Sequence, residues 1–540
     1  MNCTRREWLS MSLAAAGLGA AACSEYDSND GWHRGGLNHL LPTASAHAFN
    51  IKLSFMEPMN AAPILHVGER KVEGQRQDSA GRFWAFRVGG LRSGTEYSLQ
   101  LRRSGTQETL CDSWPLRTLP ASDDQPPRLR IISYTCAGGP NVPIPPAIYH
   151  AFKPAAYRRR LFDLILEEKP DLVIANGDHV YFDLPMMDRL NDKPIVGALM
   201  SLVAGMSAIF DPALPVLGTA NESALTSVGD DQIAQIYGVR FRSTPIFFIT
   251  DDHDYFDNDD ATPERVTFPP DAFHASLRNS LQKLYFPEFI EEPALPEAIP
   301  GRITAQGLRL STYFGEVRYG DLFCGLFYDC GGFLSLGDDA GLVPASVERW
   351  LANKTRREDT AHLVHFPSHP MGWSAGKWRE WYPDLLTSRG SLVEGVQVDD
   401  QGQKFQWQDG WWQQHQRLLR ALSDQSRRKP LIVSGDLHAL GIARIEASGG
   451  LDFSDNPIYS VLSGPVGVGD IGWPSRARGV EPITPAGLKA TSLLDLEERN
   501  GFSVLDFRRD RIDLEVFRCP AGYVSPSQLT LDSAARIKIA

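Results

Sequence analysis

The sequence predicts an α/β domain behind a small all-β unit, and three observations predict it. Four short apolar runs each end in side chains able to hold a metal: Arg130–Cys136, Asp171–Asp178, Ile246–His253 and Leu431–His438. Helical patterns lead into two of them. Tyr157–Glu168, with Leu161, Leu164 and Ile165 on one face, runs through Pro170 into the second, and the region 410–427 feeds the fourth. Helices alternating with strands imply crossover units. Before residue 118 the pattern is different: Phe49, Ile51, Leu53 and Phe55 alternate with polar residues, and short strands at this spacing suggest a sandwich.

The chain starts with a segment of its own. Thr4-Arg5-Arg6-Glu7-Trp8-Leu9 precedes an apolar stretch from Leu9 to Ala22, too short for an ordinary membrane span. A charged start, a short apolar core and small residues before a cut make an export signal. The arginine pair resembles the twin-arginine signal. That resemblance implies the twin-arginine export machinery as a partner and a periplasmic, secreted or cell-surface location. Cleavage could follow Ala20-Ala21-Ala22, or Cys23 could carry a lipid anchor. Residues 1–23 are therefore read as signal and the polar residues 24–43 as a flexible lead-in.

Residues 44–120 read as the sandwich, with further strands at Phe83–Val88 and Tyr97–Arg102. Leu91-Arg-Ser-Gly-Thr-Glu-Tyr97 resembles the corner of fibronectin type III modules, where the tyrosine is structural. Ala121-Ser-Asp-Asp-Gln-Pro-Pro127 is a linker. The α/β domain covers 128–520, with 184–245 as an insertion or lid. Ile195–Phe210 is apolar, but it is short for a span and Pro212 follows it, so no transmembrane helix is expected. Val343–Arg356 reads as another helix. Gly501–Phe507 and Arg511–Phe517 read as a hairpin, and 521–540 as a C-terminal tail.

The bulk numbers exclude some classes. A chain of 540 residues exceeds one compact core, and 42% hydrophobic content is globular. Net charge is −12, from 54 basic and 66 acidic residues, with no Lys/Arg stripe. A dedicated nucleic-acid binder would show a basic face. Of the seven cysteines, Cys3 and Cys23 belong to the signal. Cys111, Cys136, Cys324, Cys330 and Cys519 are too scattered for a disulfide scaffold, although export permits a bridge. The odd number fits one cysteine committed elsewhere.

The chemistry sits where the apolar runs end, because α/β sheets bind ligands outside the carboxyl ends of their strands. Gly177 allows a sharp turn before Asp178, with Tyr181 and Asp183 following. Asp251-Asp252-His253-Asp254 packs negative charge beside an apolar strand, which is costly unless a cation or donors compensate; Asp257–Asp260 reads as a solvated tail. Asp436 and His438 are two apart, so in an extended segment both point to one side. Cys136 ends the first run. A thiolate beside a carboxylate and a phenolate selects iron over magnesium. Converged in one pocket, these groups are the raw material of a two-metal hydrolase.

The ordered set Cys136, Asp178/Tyr181, Asp252/His253 and Asp436/His438 resembles the alkaline phosphatase D (PhoD-like) branch of the calcineurin-like metallophosphoesterases, across about 44–520. Trp407-Gln-Asp-Gly-Trp411 and Ser460-Val-Leu-Ser-Gly-Pro465 are further matches. Asp329 stands where the family has Asp-Thr-Arg, but Cys330 and Gly331 follow it, so the arginine is missing. The resemblance implies a four-layer α/β/β/α metallophosphoesterase domain behind the fibronectin-like sandwich. It implies an exported metal-dependent phosphatase that hydrolyses small phosphodiesters or phosphomonoesters with a metal-bound hydroxide, in phosphate scavenging. A phospholipase- or nuclease-like phosphodiesterase is a second reading, and a non-catalytic cell-surface binding protein on the same fold a third. By the resemblance, Cys136, Asp178, Tyr181 and His438 hold iron(III), and Asp178, Asp252 and Asp436 hold calcium, since oxygen ligands suit a hard cation. Zinc, manganese or magnesium are the alternative occupants. His253 is the catalytic imidazole that protonates the leaving oxygen. His369 is a further metal candidate, and Asp183 and His179 are candidates for substrate contact at the mouth.

Overall fold

The structure is a computed structural model that describes residues 31–140, 152–181, 210–254, 271–335, 341–375, 409–470, 472–473, 475, 482–484, 487–522 and 524–540. The export signal, Asp183 and nearly all of Ile195–Phe210 lie outside the described residues. No helix among the described residues is long and apolar enough to cross a membrane.

The N-terminal unit is a sandwich of two four-stranded sheets. One has the order Leu37–Ala44, Phe49–Phe55, Phe83–Val88, Gln75–Arg76; the other runs Arg70–Glu73, Ile64–Val67, Glu96–Arg102, Trp114–Arg117. Phe49, Ile51, Leu53, Trp84, Phe86, Leu99, Leu101 and Trp114 fill the space between them. The Tyr97 hydroxyl accepts a hydrogen bond from the Arg92 amide at 2.9 Å, as a structural tyrosine corner should.

Phe49–Phe55 alternates apolar and polar residues, yet the whole strand is buried. The polar face is covered by the second domain. Lys52 Nζ donates to the Glu288 carboxylate at 2.8 Å and to the Gln282 carbonyl at 2.6 Å. Asn50 Nδ2 donates to the same carboxylate at 2.9 Å. Burial pushes the Lys52 ammonium down to about 8, against the pull of Glu288. The lead-in needs the same correction: residues 37–43 are not flexible but part of the buried edge strand Leu37–Ala44, paired antiparallel with Phe49–Phe55.

The larger domain has two facing sheets. The first runs Ile246–Ile249, Leu172–Asn176, Leu129–Tyr134, Gly501–Arg508, Arg511–Arg518, Asp532–Ile539. Its first three strands are parallel. The second is mixed and centres on Phe323–Tyr328, His362–Pro367, Leu431–Ser434, Ile458–Ser463 and Leu440–Ser448. Ile131, Ile174, Phe247 and Leu505 of the first sheet meet Phe327, Phe366, Val433 and Val461 of the second. On the outer face of the first sheet, Ile132, Val173 and Phe248 pack under helix Ala155–Glu167 through Leu161, Phe162 and Ile165. On the outer face of the second, Leu326, Leu363 and Ile432 pack under helices Ala345–Arg357 and Asp409–Ser423. These are the four layers α/β/β/α. Strands covered on both faces read as continuous apolar runs, which is why the four metal-ended runs stand out in the sequence.

Two boundaries move. The tail 521–540 includes the strand Asp532–Ile539, which pairs with Arg511–Arg518 and forms the edge of the first sheet. In the segment read as an insertion or lid, the described part from 220 onward is core rather than lid. Helix Ala220–Gly229 continues as a π-helical turn at Asp230–Ala234. Leu225, Ile233, Ile236, Tyr237 and Phe241 pack beneath the first sheet.

Candidate metal centre

Three of the four runs are neighbours in the first sheet; the fourth, Leu431–Ser434, lies in the facing one. The two sheets are stitched together at their carboxyl ends. Ser133 Oγ lies 2.8 Å from Ser463 Oγ. Thr135 Oγ1 donates to the Asn176 carbonyl at 2.6 Å and accepts from the Asp436 amide at 3.1 Å. Asn176 Nδ2 donates to the Val433 carbonyl at 3.2 Å. Gly435 permits this approach, since a β-carbon there would lie 2.3 Å from the Asn176 carbonyl oxygen.

The turns leaving these strands are conformationally costly. Cys136, Asp178, Asp436 and His438 have φ of 50°, 57°, 72° and 51°. Such backbone is uncommon outside glycine and, when surrounding structure holds it, clusters at functional sites.

The turns at the four strand ends bring the sequence-derived ligands together. The sulfur of Cys136 lies 3.2 Å from Asp178 Oδ2. The same oxygen accepts from the Tyr181 hydroxyl at 3.0 Å and lies 3.7 Å from His438 Nε2. His438 Nδ1 lies 2.8 Å from the Gly472 carbonyl, an arrangement that leaves Nε2 to face a cation. Ligand atoms of Cys136, Asp178 and His438 all fall within 4.8 Å of one another. So do those of Asp178, Asp252 and His253, and those of Asp251, Asp252 and Asp436. Asp178 and Asp252 each belong to two of these groups.

The electrostatics fit a cation pair. Burial pushes the Cys136 thiol well up, and Asp178 adds to it; burial and Asp178 do the same to the Tyr181 phenol. The protein alone therefore disfavours thiolate and phenolate, and a bound cation reverses that preference. Burial also works against the Asp178 carboxylate, yet His253 and His438 hold it below its ordinary value. Asp251 shows the opposite: burial, then Asp436 and Asp252, push its carboxyl well up. Three buried carboxylates at this separation call for positive charge. His253 is mostly buried and tilts its ring over Tyr181, with centroids 4.2 Å apart.

Two of the weaker candidates resolve differently, and Asp183 lies outside the described residues. His179 does not face the mouth. Its ring is buried against Phe248 and Phe286, with Nε2 2.8 Å from the Ile249 carbonyl. Burial lowers it to about 4, so it is a neutral core histidine. His369 reaches the centre through Asp251, with Nδ1 3.4 Å from Asp251 Oδ1.

Four contributors have no individual role in the sequence analysis. Asp254 accepts from the amides of His179, Val180 and Asp251 at 2.8, 2.9 and 3.0 Å, tying two ligand turns together. Gln232, on the π-helical turn, accepts from Tyr181 and Gly139 amides at 2.8 and 2.6 Å and donates to the Tyr181 carbonyl at 3.0 Å. π-turns often mark functional sites, but one embedded in a helical pattern leaves no sequence signal. Arg278 comes from helix Ala272–Leu284 to within 3.4 Å of Asp329 Oδ2. A guanidinium thus stands beside Asp329 although no arginine follows it in sequence. Asp251 is the fourth; the sequence marks it as part of the acidic run Asp251–His253 that calls for a cation, but gives it no role of its own.

No protein-family model matches the chain, and no curated protein does. Solved structures do. The structure of PhoD superposes with a TM-score of 0.56 at 13% identity, over 93% of this chain and 89% of that one. A purple acid phosphatase from yellow lupin (Lupinus luteus) seeds superposes at 0.52, also at 13% identity, over 93% of this chain and 73% of that one. The chain has the metallophosphoesterase fold. In this metallophosphoesterase fold the candidate ligands occupy the carboxyl ends of the two inner sheets. The cysteines at Cys111, Cys136, Cys324, Cys330 and Cys519 are all unbridged, so Cys136 is available as a ligand.

Proposed function

We propose that the chain is a PhoD-like, metal-dependent phosphoesterase that hydrolyses small phosphodiesters, phosphomonoesters or both. The observation that carries this reading is the convergence of Cys136, Asp178, Tyr181 and His438 on one side and Asp252 and Asp436 on the other, with Asp178 between. The soft and phenolic donors of the first set suit iron(III), and the oxygen donors of the second suit calcium. Two cations supply charge neutralisation of the phosphate and an activated water. The residues of this chain do the rest. Asp178 would be shared between the two positions, and the Gly472 carbonyl orients His438. Gln232 fixes the Tyr181 backbone. His253, adjacent to Asp178 and Asp252, can protonate the leaving-group oxygen. Export by the twin-arginine route, a possible lipid at Cys23 and a role in phosphate scavenging belong to this proposal and rest on the sequence alone.

The test is hydrolysis of a chromogenic phosphodiester and the matching monoester by the purified protein, before and after chelation. Activity lost on chelation and restored by iron with calcium is expected. Hydrolysis indifferent to chelator refutes metal dependence, and no hydrolysis of either ester by the metal-loaded protein refutes the enzyme reading.

A further inference from the structure

Asp251 is better placed for a cation than for any protein partner. It is fully buried, and neither carboxylate oxygen has a hydrogen-bond partner among the described residues. Among the described residues, His369 Nδ1 lies 3.4 Å from Oδ1. A buried carboxylate without donors is costly unless a cation sits beside it. Its ligand atoms lie within 4.8 Å of those of Asp252 and Asp436.

The surroundings hold Asp251 in that place. A β-carbon on Gly177 would lie 2.7 Å from the Asp251 β-carbon, so the turn before Asp178 leaves room for this side chain. Behind it, Thr250 Oγ1 donates to Asp329 Oδ2 at 2.7 Å, and Asp329 is faced by Arg278. The amide of Asp251 itself donates to Asp254 at 3.0 Å. Backbone, neighbouring strand and second sheet all fix the position of a group that has no hydrogen bond to show for it.

We propose that Asp251 is a direct ligand of the second cation, beside Asp252 and Asp436. The inference rests on the two-cation reading above and extends it. The second position then has three carboxylates of its own besides the shared Asp178. Such a set favours a hard cation of high coordination number, calcium or manganese, over zinc. His369 acts through Asp251 as a positioning residue.

Calcium and manganese titrations with elemental analysis test this on the full chain, comparing wild type, Asp251→Ala and Asp252→Ala. Wild type should hold about two cations per chain. Asp251→Ala should keep the first and lose affinity for the second by more than about 100-fold, the upper end of what a residue acting through another ligand costs. A smaller loss overturns direct ligation. Wild type that binds fewer than two cations overturns the two-cation reading itself, so the two failures are distinguishable. Thermal melts give a readout that survives poor folding, with Asp251→Asn as the shape-preserving variant. Removing one of three crowded carboxylates should raise the metal-free melting temperature and shrink the gain on adding calcium. A lower metal-free value with an unchanged gain marks Asp251 as structural and overturns the proposal.

Discussion

The Tyr181 hydroxyl lies 3.0 Å from Nε2 of His438, across 257 residues of chain. Neither side chain has a reason to be there for packing alone, because both polar atoms point at the carboxylate of Asp178. The same pocket holds the Cys136 sulfur within 4.8 Å of the His438 ring nitrogen.

Tyr181→Phe should keep the ring packing on Phe152 and His253, whose centroids lie 4.7 and 4.2 Å away, and so keep the fold. It removes the phenolate. Iron-loaded wild type should show a visible phenolate-to-iron absorption that the variant lacks. A variant that still absorbs there would falsify Tyr181 as an iron ligand.

His253→Ala should lower kcat by about 10²–10⁴-fold, the usual contribution of a positioned general acid, with cation content unchanged by elemental analysis. Equal losses of turnover and of metal would instead make His253 a ligand.

Gln232→Ala leaves the amides of Tyr181 and Gly139 without the acceptor they share. Unsatisfied buried groups cost about 1–3 kcal/mol, visible as a lower urea midpoint. Because the change acts through Tyr181, affinity for the first cation should fall by about 10–100-fold while the second stays. Unaltered affinity with reduced stability would mean that Gln232 serves only folding.

Acid stability should depend on His365. Burial lowers its imidazole from the ordinary 6.5 to about 3; Nε2 lies 2.9 Å from Thr355 Oγ1 and Nδ1 3.2 Å from the Tyr328 hydroxyl. Between these values the unfolded chain binds a proton that the folded chain refuses. The contribution is therefore fully present above pH 6.5 and is lost as pH falls towards 3, at up to about 1.4 kcal/mol per pH unit. His39, lowered by burial to about 3, and His415, to about 4, act in the same direction. His365→Gln should flatten part of the decline in urea midpoint between about pH 4 and 7; an unchanged slope would show that His365 is already protonated in the fold.

Much of the centre was legible because its ligands are local to strand ends. Asp178, Asp252, Asp436 and His438 each follow a run whose continuous apolarity comes from burial on both faces. His179 misled for the same reason: it neighbours a ligand in sequence, but its side chain turns into the core formed by Phe248 and Phe286. The strand Leu37–Ala44 was hidden because its polar residues looked solvated. His39 and Thr43 are in fact buried against the second domain, His39 with its ring 5.2 Å from Tyr285 and Thr43 bonded to the Glu288 carbonyl at 3.0 Å.

By itself, then, the order of residues determined which segments become inner strands and which metal-type side chains leave their ends, since apolar periodicity and turn chemistry act over a few residues. Tertiary structure alone decided that the fourth run joins the facing sheet, that Gln232 reaches the Tyr181 backbone and Arg278 reaches Asp329 from distant helices, and that Asp251 is enclosed with two other carboxylates. Those outcomes depend on what covers a face. A side chain's neighbours in the chain do not specify the partner, hundreds of residues away, that excludes water from it.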